Sequence, residues 1–461
     1  MTLGVVVLAA GQGTRMRSAL PKVLHPAAGI PLVEHVTRLA DAVGAARIVL
    51  VLSADTLEPV RARLGERYQY VVQPERLGTG HAVQQARAAL AGRADEVLVL
   101  YGADPLMRLE SVRQLIEARR TTRALAAITT FTATPPAGYG RIVRDASQSI
   151  AAIVEERDAT PAQRAITEVN QGVAVYAGAW LWPALDRVQP NRGNGEYYLT
   201  DLVALALAER GQGAVASIQL ADPDEALGVN DRAQLAAVGA ILNRRKVHQL
   251  LLAGVTVVDP ASTYVDVDVA VGIDTILHPG TILRGQTRLG ERCSIGPNTL
   301  IEDSTLGDGC RASYSVIEQA RMDDGANVGP FGHLRKGAHL MENVHMGNFG
   351  EVKNATLGPG TKMGHFSYIG DATLGADVNI GAGTITCNFA ADGKKYHTEI
   401  GDGAFIGSDS LLRAPVSVGA GATTGAGSVV TKDVPAGATA VGMPARVIRS
   451  ASPAPEDEKP S

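Results

Sequence analysis

The second half of the chain repeats a pair made of an aliphatic residue and a glycine, and this repeat constrains the fold more than any other feature. From about residue 264 the pair often returns after six residues, as in Leu357-Gly358, Met363-Gly364 and Ile369-Gly370. In such a repeat one aliphatic side chain points inward and stacks on its neighbours, while glycine permits the corner. A six-residue period over this length predicts a parallel β-helix of hexapeptide repeats.

The composition agrees with a repetitive β structure that has a core of small residues. The 461 residues include 51 glycines but only six phenylalanines and two tryptophans. The formal charge of −4 indicates neither nucleic acid nor a membrane surface as a partner. Cys293, Cys310 and Cys387 lack a metal-ligand spacing, so we expect a reducing cytoplasm. No apolar run approaches the roughly 20 residues of a membrane span, and no signal sequence is evident.

The first half of the chain alternates short apolar runs with longer helix-like segments. The clearest strands are 48–53 and 97–101, and the clearest helices are 31–43 and 81–91. This alternation predicts a parallel sheet with helices on both faces. Ligands of such sheets bind beyond the carboxyl ends of the strands.

A glycine-rich turn follows the first apolar run. Residues 5–8 are too few for a helix and predict a buried strand, and Gly11 and Gly13 come shortly after it. Glycines let the backbone pass close to a bulky anion, and the amide N–H groups of such a turn bind phosphate. The cations Arg15 and Lys22 favour a phosphate site over a purely structural corner. The turn lacks the third glycine of a dinucleotide fingerprint and the ending of a P-loop.

The stretch LAAGQGTRM, followed by PK, resembles the signature of the sugar-phosphate nucleotidylyltransferases. Further motifs follow in the order seen in bacterial N-acetylglucosamine-1-phosphate uridylyltransferases: LGTGHAVQQA (77–86), GYGRI (138–142), IVEERD (153–158), VNQG (169–172), GEYYLTD (195–201) and GVND (228–231). This resemblance implies an α/β domain with a Rossmann-like, mostly parallel sheet.

The same resemblance implies a set of site residues. Arg15 and Lys22 would act in catalysis. Gly140, Glu155 and Asn170 would hold the amino sugar, and Gln73, Gly78 and Thr79 the uridine. The full set implied for UDP-N-acetylglucosamine is Leu8, Ala9, Ala10, Gly11, Lys22, Gln73, Gly78, Thr79, Tyr101, Gly102, Gly140, Glu155, Asn170 and Asn230.

One departure concerns the metal. In this family an aspartate directly after the segment matching Tyr101-Gly102, together with an asparagine matching Asn230, ligates Mg²⁺. This chain has Ala103 there and Asp104 next. Because neighbouring side chains of a regular strand point to opposite faces, Asp104 would replace the missing ligand only if the strand end shifted by one residue. Gln171 stands where the family usually has a small hydroxyl residue.

Motifs in the second half resemble the acetyltransferase half of the bifunctional bacterial enzymes that acetylate glucosamine-1-phosphate and then uridylylate the product. They are LRKGA (334–338), GNFGEVKN (347–354), GHFSYIGDA (364–372), NIGAGTITCNF (379–389) and IGSDS (406–410). The resemblance implies a left-handed β-helix and a homotrimer. Loss of a proton from the attacking amine suits a histidine as general base, and the resemblance assigns that role to His365.

The resemblance also assigns the substrates of this half. Arg335, Lys353, Tyr368 and Asn379 would bind the sugar phosphate, and Ala382, Asn388, Phe389, Ser408, Ala426 and Arg446 would bind acetyl-CoA. Four departures occur here: Phe389 replaces a tyrosine, Gly350 a valine and His333 an arginine, and Met443 stands where an arginine that binds CoA is expected.

We therefore predict a nucleotidyltransferase domain at 1–230, a connecting helix at 231–255, a β-helix acetyltransferase domain at 256–449 and a disordered tail at 450–461. The predicted reactions consume glucosamine-1-phosphate, acetyl-CoA, UTP and N-acetylglucosamine-1-phosphate, with Mg²⁺ as cofactor. Three alternatives remain: an acetyltransferase with an inactive nucleotide-sugar domain, a non-enzymatic hexapeptide scaffold, and transfer of another nucleotide or to another sugar.

Overall fold

The computed structural model describes residues 1–136, 138–191, 193 and 195–449. These residues form two compact units, and the boundary falls between Leu242 and Asn243. The predicted tail at 450–461 lies outside the described residues. None of the helices within the described ranges is both long and apolar enough to cross a membrane.

The first unit contains a nine-stranded sheet and a short hairpin. Its strands are β1 (Leu3–Leu8), β2 (Pro26–Ala27), β3 (Ile30–Pro31), β4 (Arg47–Leu52), β5 (Gln69–Val72), β6 (Glu96–Tyr101), β7 (Ala126–Thr132), β8 (Arg141–Arg144), β9 (Ile150–Val154), β10 (Glu168–Ala177) and β11 (Val215–Gln219). Its helices are α1 (Leu32–Ala42), α2 (Ala54–Leu64), α3 (Thr79–Gln85), α4 (Arg87–Leu90), α5 (Leu109–Thr122), α6 (Pro161–Arg164), α7 (Gly178–Leu185) and α8 (Asp201–Arg210). Short 3₁₀ turns cover Thr14–Met16, Lys22–Leu24 and Pro223–Ala226.

The main sheet is mostly parallel, as the sequence predicts. Its order is β11-β7-β10-β6-β1-β4-β5, with β8 and β9 attached through β10. The strand β1 pairs in parallel with both β4 and β6, whereas β10 runs antiparallel to β6 and β7. Val5 and Val7 pack into one apolar layer and Val6 into the other, so both faces of β1 are buried. The carboxyl ends of β1 and β6 consequently lie side by side.

The boundary between the two units falls within helix α9 (Arg232–Leu252). In the first unit Val238, Ile241 and Leu242 pack with Met16 and Leu32. In the second unit Val247 and Leu250 pack against the first coils of the β structure, in one cluster with its core. The predicted connector at 231–255 contains this helix.

The second unit consists of short strands in two long, curled sheets. One sheet contains Thr256–Val257, Ile276–Leu277, Ser294–Ile295, Arg311–Ala312, Asn327–Val328, His345–Met346, Lys362–Met363, Asn379–Ile380, Phe405–Ile406, Thr423–Thr424, Thr439–Gly442 and Ala445–Arg449. The other contains Tyr264–Val265, Ala270–Val271, Ile282–Arg284, Arg288–Leu289, Leu300–Glu302, Thr305–Leu306, Val316–Glu318, Arg321–Met322, His333–Leu334, His339–Leu340, Gly350–Leu357, Ser367–Leu374, Ile385–Cys387, Thr398–Ile400, Leu411–Arg413, Val416–Val418 and Val429–Val430.

The pairing of these strands confirms the hexapeptide prediction. The strands pair in parallel with equivalent strands of the neighbouring coils, as in Lys362 with Asn379, whereas Thr439–Gly442 and Ala445–Arg449 pair in an antiparallel manner. Leu357, Met363 and Ile369 are fully buried in one continuous core. This arrangement is that of a left-handed β-helix with aliphatic residues stacked inside. The segment 388–397 interrupts the repeat between two of the strands.

Candidate active sites

A cavity of about 360 Å³ opens where β1, β5 and β6 end. Its position agrees with the expected ligand site beyond the carboxyl ends of parallel strands. Its lining includes Leu8, Ala9, Ala10, Gly11, Lys22, Gln73, Gly78, Thr79, Tyr101, Asp104 and Asn230. The structure thus brings most of the residues predicted for the nucleotide sugar together around one cavity.

Lys22 reaches this cavity because Gly13 leaves room for its side chain. Gly13 has a φ of 64°, and a Cβ atom there would lie 2.6 Å from Cβ of Lys22. The ammonium group of Lys22 donates a hydrogen bond to Oδ1 of Asn230 at 3.2 Å. Burial lowers the pKa of Lys22, the charge of Asp104 opposes that shift, and Arg15 adds to it. Arg15 itself is exposed and does not line the cavity.

A second glycine turn forms another wall of the cavity. The buried Gln73 side chain donates to the carbonyl of Gly78 at 3.1 Å. A Cβ atom at Gly78 would lie 2.6 Å from the carbonyl oxygen of Tyr197, so this close approach requires glycine. The hydroxyl of Thr79 accepts a bond from the Leu199 N–H at 3.0 Å. The segment around 197–199 therefore holds the turn in place.

Arg76 is a cavity residue that the motif comparison missed. Its Nε donates to the carbonyl of Ala10 at 3.0 Å, and its Nη2 contacts Asp55 at 3.1 Å. It joins the first glycine turn to the loop that follows β5. The available signal was a cation between the two predicted residues Gln73 and Gly78.

Asp104 lies beyond the end of strand β6. The strand β6 ends at Tyr101, and the N–H of Asp104 donates to the Tyr101 carbonyl at 3.0 Å, so Asp104 lies in a turn. The alternation of a regular strand does not apply there, and Asp104 lines the cavity together with Ala103 and Asn230. Burial raises the pKa of Asp104 to about 7, and the charge of Lys22 opposes that shift.

Asp104 and Asn230 supply oxygen atoms of the kind that Mg²⁺ prefers. The described ranges contain no cluster of three His, Cys, Asp or Glu residues that would hold a metal without help. A magnesium ion here would depend on these two side chains and on phosphate oxygens of the substrate, which is the usual arrangement for Mg²⁺. Asp104 and Asn230 therefore fit a magnesium ion that also binds phosphate oxygens of the substrate.

The residues predicted for the amino sugar form a separate group beside Tyr101. The N–H of Asn170 donates to the Gly140 carbonyl at 2.8 Å, and a Cβ atom at Gly140 would lie 3.4 Å from Oε1 of Glu155. Burial raises the pKa of Tyr101, and the charges of Asp104 and Glu155 add to the shift. Gly140, Glu155, Asn170 and Gly102 are not part of the cavity lining.

A cavity of about 700 Å³ lies on the β-helix. Of the predicted acetyltransferase residues, it is lined by His365, Asn379, Ala382, Ser408 and Ala426. The lining also contains His345, Lys362, Phe405 and Thr423, which sequence comparison missed. The register pairs His345 with Lys362, Lys362 with Asn379, Asn379 with Phe405 and Phe405 with Thr423. The hexapeptide period itself would have found them, because they occupy the same position as Asn379 on other coils.

Of the remaining acetyltransferase residues, Arg335 and Lys353 lie in a charged group outside that lining. Arg335 pairs with Glu351 at 2.7 Å, and the positive charges of Arg335 and Lys395 lower the pKa of Lys353. Such a concentration of cations suits a phosphate group.

Asn388 connects this charged group to the segment 388–397, which interrupts the repeat. It donates to Asp371 at 2.5 Å and to the Tyr368 hydroxyl at 3.4 Å, and Lys395 lies 3.9 Å from Asp371. Phe389 and Arg446 are exposed and do not line the cavity.

The fold and the two cavities define a nucleotidyltransferase domain followed by a hexapeptide transferase domain. The model of the MobA-like NTP transferase domain matches residues 5–198, and that of the bacterial transferase hexapeptide, with six repeats, matches residues 397–432.

Curated relatives carry the name "Bifunctional protein GlmU". The protein of Enterococcus faecalis is 44% identical over 90% of this chain and 89% of its own length. That of Heliobacterium modesticaldum is 48% identical over the same shares, 90% and 89%. That of Streptococcus equi subsp. zooepidemicus is 44% identical over 96% of both chains. The chain belongs to the GlmU family, which confirms the predicted family and transferase class.

Proposed function

We propose that the chain makes UDP-N-acetylglucosamine in two successive reactions, one in each unit. The observation that carries the proposal is the grouping of the predicted residues around two cavities, in a chain that belongs to a bifunctional family. Each cavity is formed by residues of its own unit. Each activity is therefore expected to be removable without loss of the other.

In the first reaction the amine of glucosamine-1-phosphate attacks the carbonyl of acetyl-CoA. The C–S bond breaks, CoA leaves, and His365 accepts the proton that the amine loses. His365 is exposed and lines the cavity with Ser408 and Ala426, which supports this role. Arg335 and Lys353 bind the sugar phosphate, the arginine as a fork and the lysine as a point charge.

In the second reaction a phosphate oxygen of N-acetylglucosamine-1-phosphate attacks the α-phosphorus of UTP, and the bond to pyrophosphate breaks. Lys22 stabilises the phosphate charge from inside the cavity. Asp104 and Asn230 would hold Mg²⁺. When bound, Mg²⁺ neutralises charge that develops on the phosphates.

The test measures both products on the intact chain. With UTP and N-acetylglucosamine-1-phosphate we expect release of pyrophosphate that depends on Mg²⁺, and with acetyl-CoA and glucosamine-1-phosphate we expect release of CoA. Lys22→Ala should remove the release of pyrophosphate alone, and His365→Ala should remove the release of CoA alone. Release of CoA without pyrophosphate would support the alternative favoured by Ala103, an acetyltransferase with a nucleotide-sugar-binding domain.

We also propose that the chain works as a homotrimer in the cytoplasm. The β-helix has an exposed aromatic cluster of Tyr314, Phe331 and Phe349, with centroid separations of 5.7 and 5.1 Å, and burial between subunits would remove this cluster from water. Sedimentation equilibrium should give a trimer, and Phe331→Lys should shift it towards monomer.

The three cysteines are free thiols, which supports the proposed reducing compartment, the cytoplasm.

A further inference from the structure

Gln171 lies where the pairing of β10 with β7 is interrupted, between Asn170 and Ala174. Its amide oxygen accepts a hydrogen bond from the N–H of Val173 at 2.9 Å and contacts the hydroxyl of Thr129 at 2.7 Å. A backbone N–H only donates, so this bond fixes which end of the amide carries the oxygen. The amide nitrogen of Gln171 must therefore point the other way.

That nitrogen points to Asp104. Nε2 of Gln171 lies 3.5 Å from Oδ2 of Asp104, at the outer limit of a hydrogen bond. The other carboxylate oxygen lies against the backbone at Gly228, where an added Cβ atom would overlap it. The carboxylate is thus held between an amide donor and a glycine that leaves it space.

The same segment brings the second candidate ligand to the site. The N–H of Val229 donates to the carbonyl of Ala103 at 2.9 Å, and Asn230 follows directly. The turn that contains Asp104 and the segment that contains Asn230 are consequently fixed to each other by the backbone. The Asp104 carboxylate therefore has the Gln171 amide beside one oxygen and Gly228 beside the other.

We propose that Gln171 is a positioning residue for the divalent cation, because its amide orients the Asp104 carboxylate in the cavity that Asp104 shares with Asn230. This inference rests on the proposed uridylyl transfer. Ala103, Asp104 and Gln171 act as one set: the carboxylate stands one residue later in the chain, and the glutamine amide meets it there. A chain with its carboxylate at position 103 would not need the glutamine.

The test measures metal binding directly as well as turnover. Binding of Mn²⁺ to the full chain in the presence of UTP is followed by electron paramagnetic resonance, and the Mg²⁺ dependence of pyrophosphate release is measured in parallel. Gln171→Ala should weaken Mn²⁺ binding about tenfold, as expected for a group that orients a ligand, and should raise the Mg²⁺ concentration at half-maximal rate by a similar factor. Gln114→Ala, an exposed glutamine on α5, is the matched control.

The double variant Ala103→Asp/Asp104→Ala separates positioning from a general structural effect. In that background Gln171→Ala should change Mn²⁺ binding less than about twofold, because the group it orients is gone. An equal loss in both backgrounds, or no loss in either, would overturn the proposal, as would Mn²⁺ binding that survives Asp104→Ala unchanged. Absence of Mn²⁺ binding by the parent chain would overturn it too.

Thermal unfolding of the first unit, followed by circular dichroism, reports whether each variant is folded. Normal Mn²⁺ binding without pyrophosphate release would contradict the proposed uridylyl transfer, but the effect of Gln171 on the metal would still be measurable. Failure of the two proposals is thereby distinguishable.

Discussion

At the scale of single residues, Asp104 is the only charged side chain of the two proposed magnesium ligands in the first unit. Asp104→Asn keeps the size of the side chain and removes its charge. Because the ion would then have only neutral protein ligands, pyrophosphate release should fall by about 100-fold or more, while acetyl transfer stays unchanged. A steady-state assay of both products checks this. Retention of the parent rate would show that another group holds the metal.

Arg76 offers a second test at this scale. Arg76→Ala removes the bond that joins the loop after β5 to Ala10. The Michaelis constant for UTP should rise about tenfold, with a smaller change in kcat, since the loss affects the shape of the cavity before the chemistry. Arg76→Lys should not restore it, because lysine lacks the fork that reaches both Ala10 and Asp55. Arg93→Ala, an exposed arginine, serves as the control; an equal effect there would refute the assignment.

At the scale of elements, the ion pairs between β6 and α5 link the central sheet to a covering helix. Glu96 is fully buried and accepts hydrogen bonds from Arg119 and Arg120. Burial opposes ionisation of Glu96, but these bonds and charges lower its pKa overall. The pairs therefore stabilise the fold at pH values above the ordinary glutamate range, and that stabilisation is lost as the pH falls through the lowered pKa.

Glu96→Gln should accordingly destabilise the first unit by about 3–5 kcal/mol at pH 7, because Arg119 is left buried without a counter-charge. The difference from the parent should shrink as the pH falls below about 4. Thermal unfolding followed by circular dichroism at several pH values measures it. Glu117→Gln on the exposed side of α5 is the control. A difference that does not change with pH would exclude the electrostatic explanation.

Two glycines at the same position of successive coils give a matched pair in the β-helix. A Cβ atom at Gly347 would overlap the backbone of Gly364, whereas one at Gly364 has no neighbour within 4 Å. Gly347→Ala should lower stability by about 1–3 kcal/mol, and Gly364→Ala should have little effect on stability. Thermal unfolding decides between them. Similar losses in both would mean that backbone freedom, and not space, requires these glycines.

At the scale of the whole molecule, the periodic features were predictable because each reports a repeated local environment. The alternating apolar runs predicted β1, β4 and β6, and the aliphatic-glycine pairs predicted the buried ladder through Met363. The predicted helix at 81–91 is two helices separated at Ala86, a boundary that no punctuating residue marks.

The site was less predictable wherever it depends on a strand end or on contacts between distant segments. Asp104 faces the cavity only because β6 stops at Tyr101, and sequence alternation does not show where a strand stops. The contacts of Arg76 with Ala10 and of Gln171 with Asp104 join residues far apart in the chain. Such contacts become visible only when the fold is known.

The division into two units leads to a last prediction about the complete conversion. Each cavity is lined by residues of one unit only, so the acetylated sugar phosphate must leave one site and bind at the other. If it passes through solution, Lys22→Ala and His365→Ala, each inactive alone in forming UDP-N-acetylglucosamine from glucosamine-1-phosphate, should form it when mixed. Added N-acetylglucosamine-1-phosphate controls for the surviving activity of the His365→Ala chain. If each variant keeps its one activity but the mixture makes no product, the intermediate is passed on without release, and the two units do not act as independent enzymes.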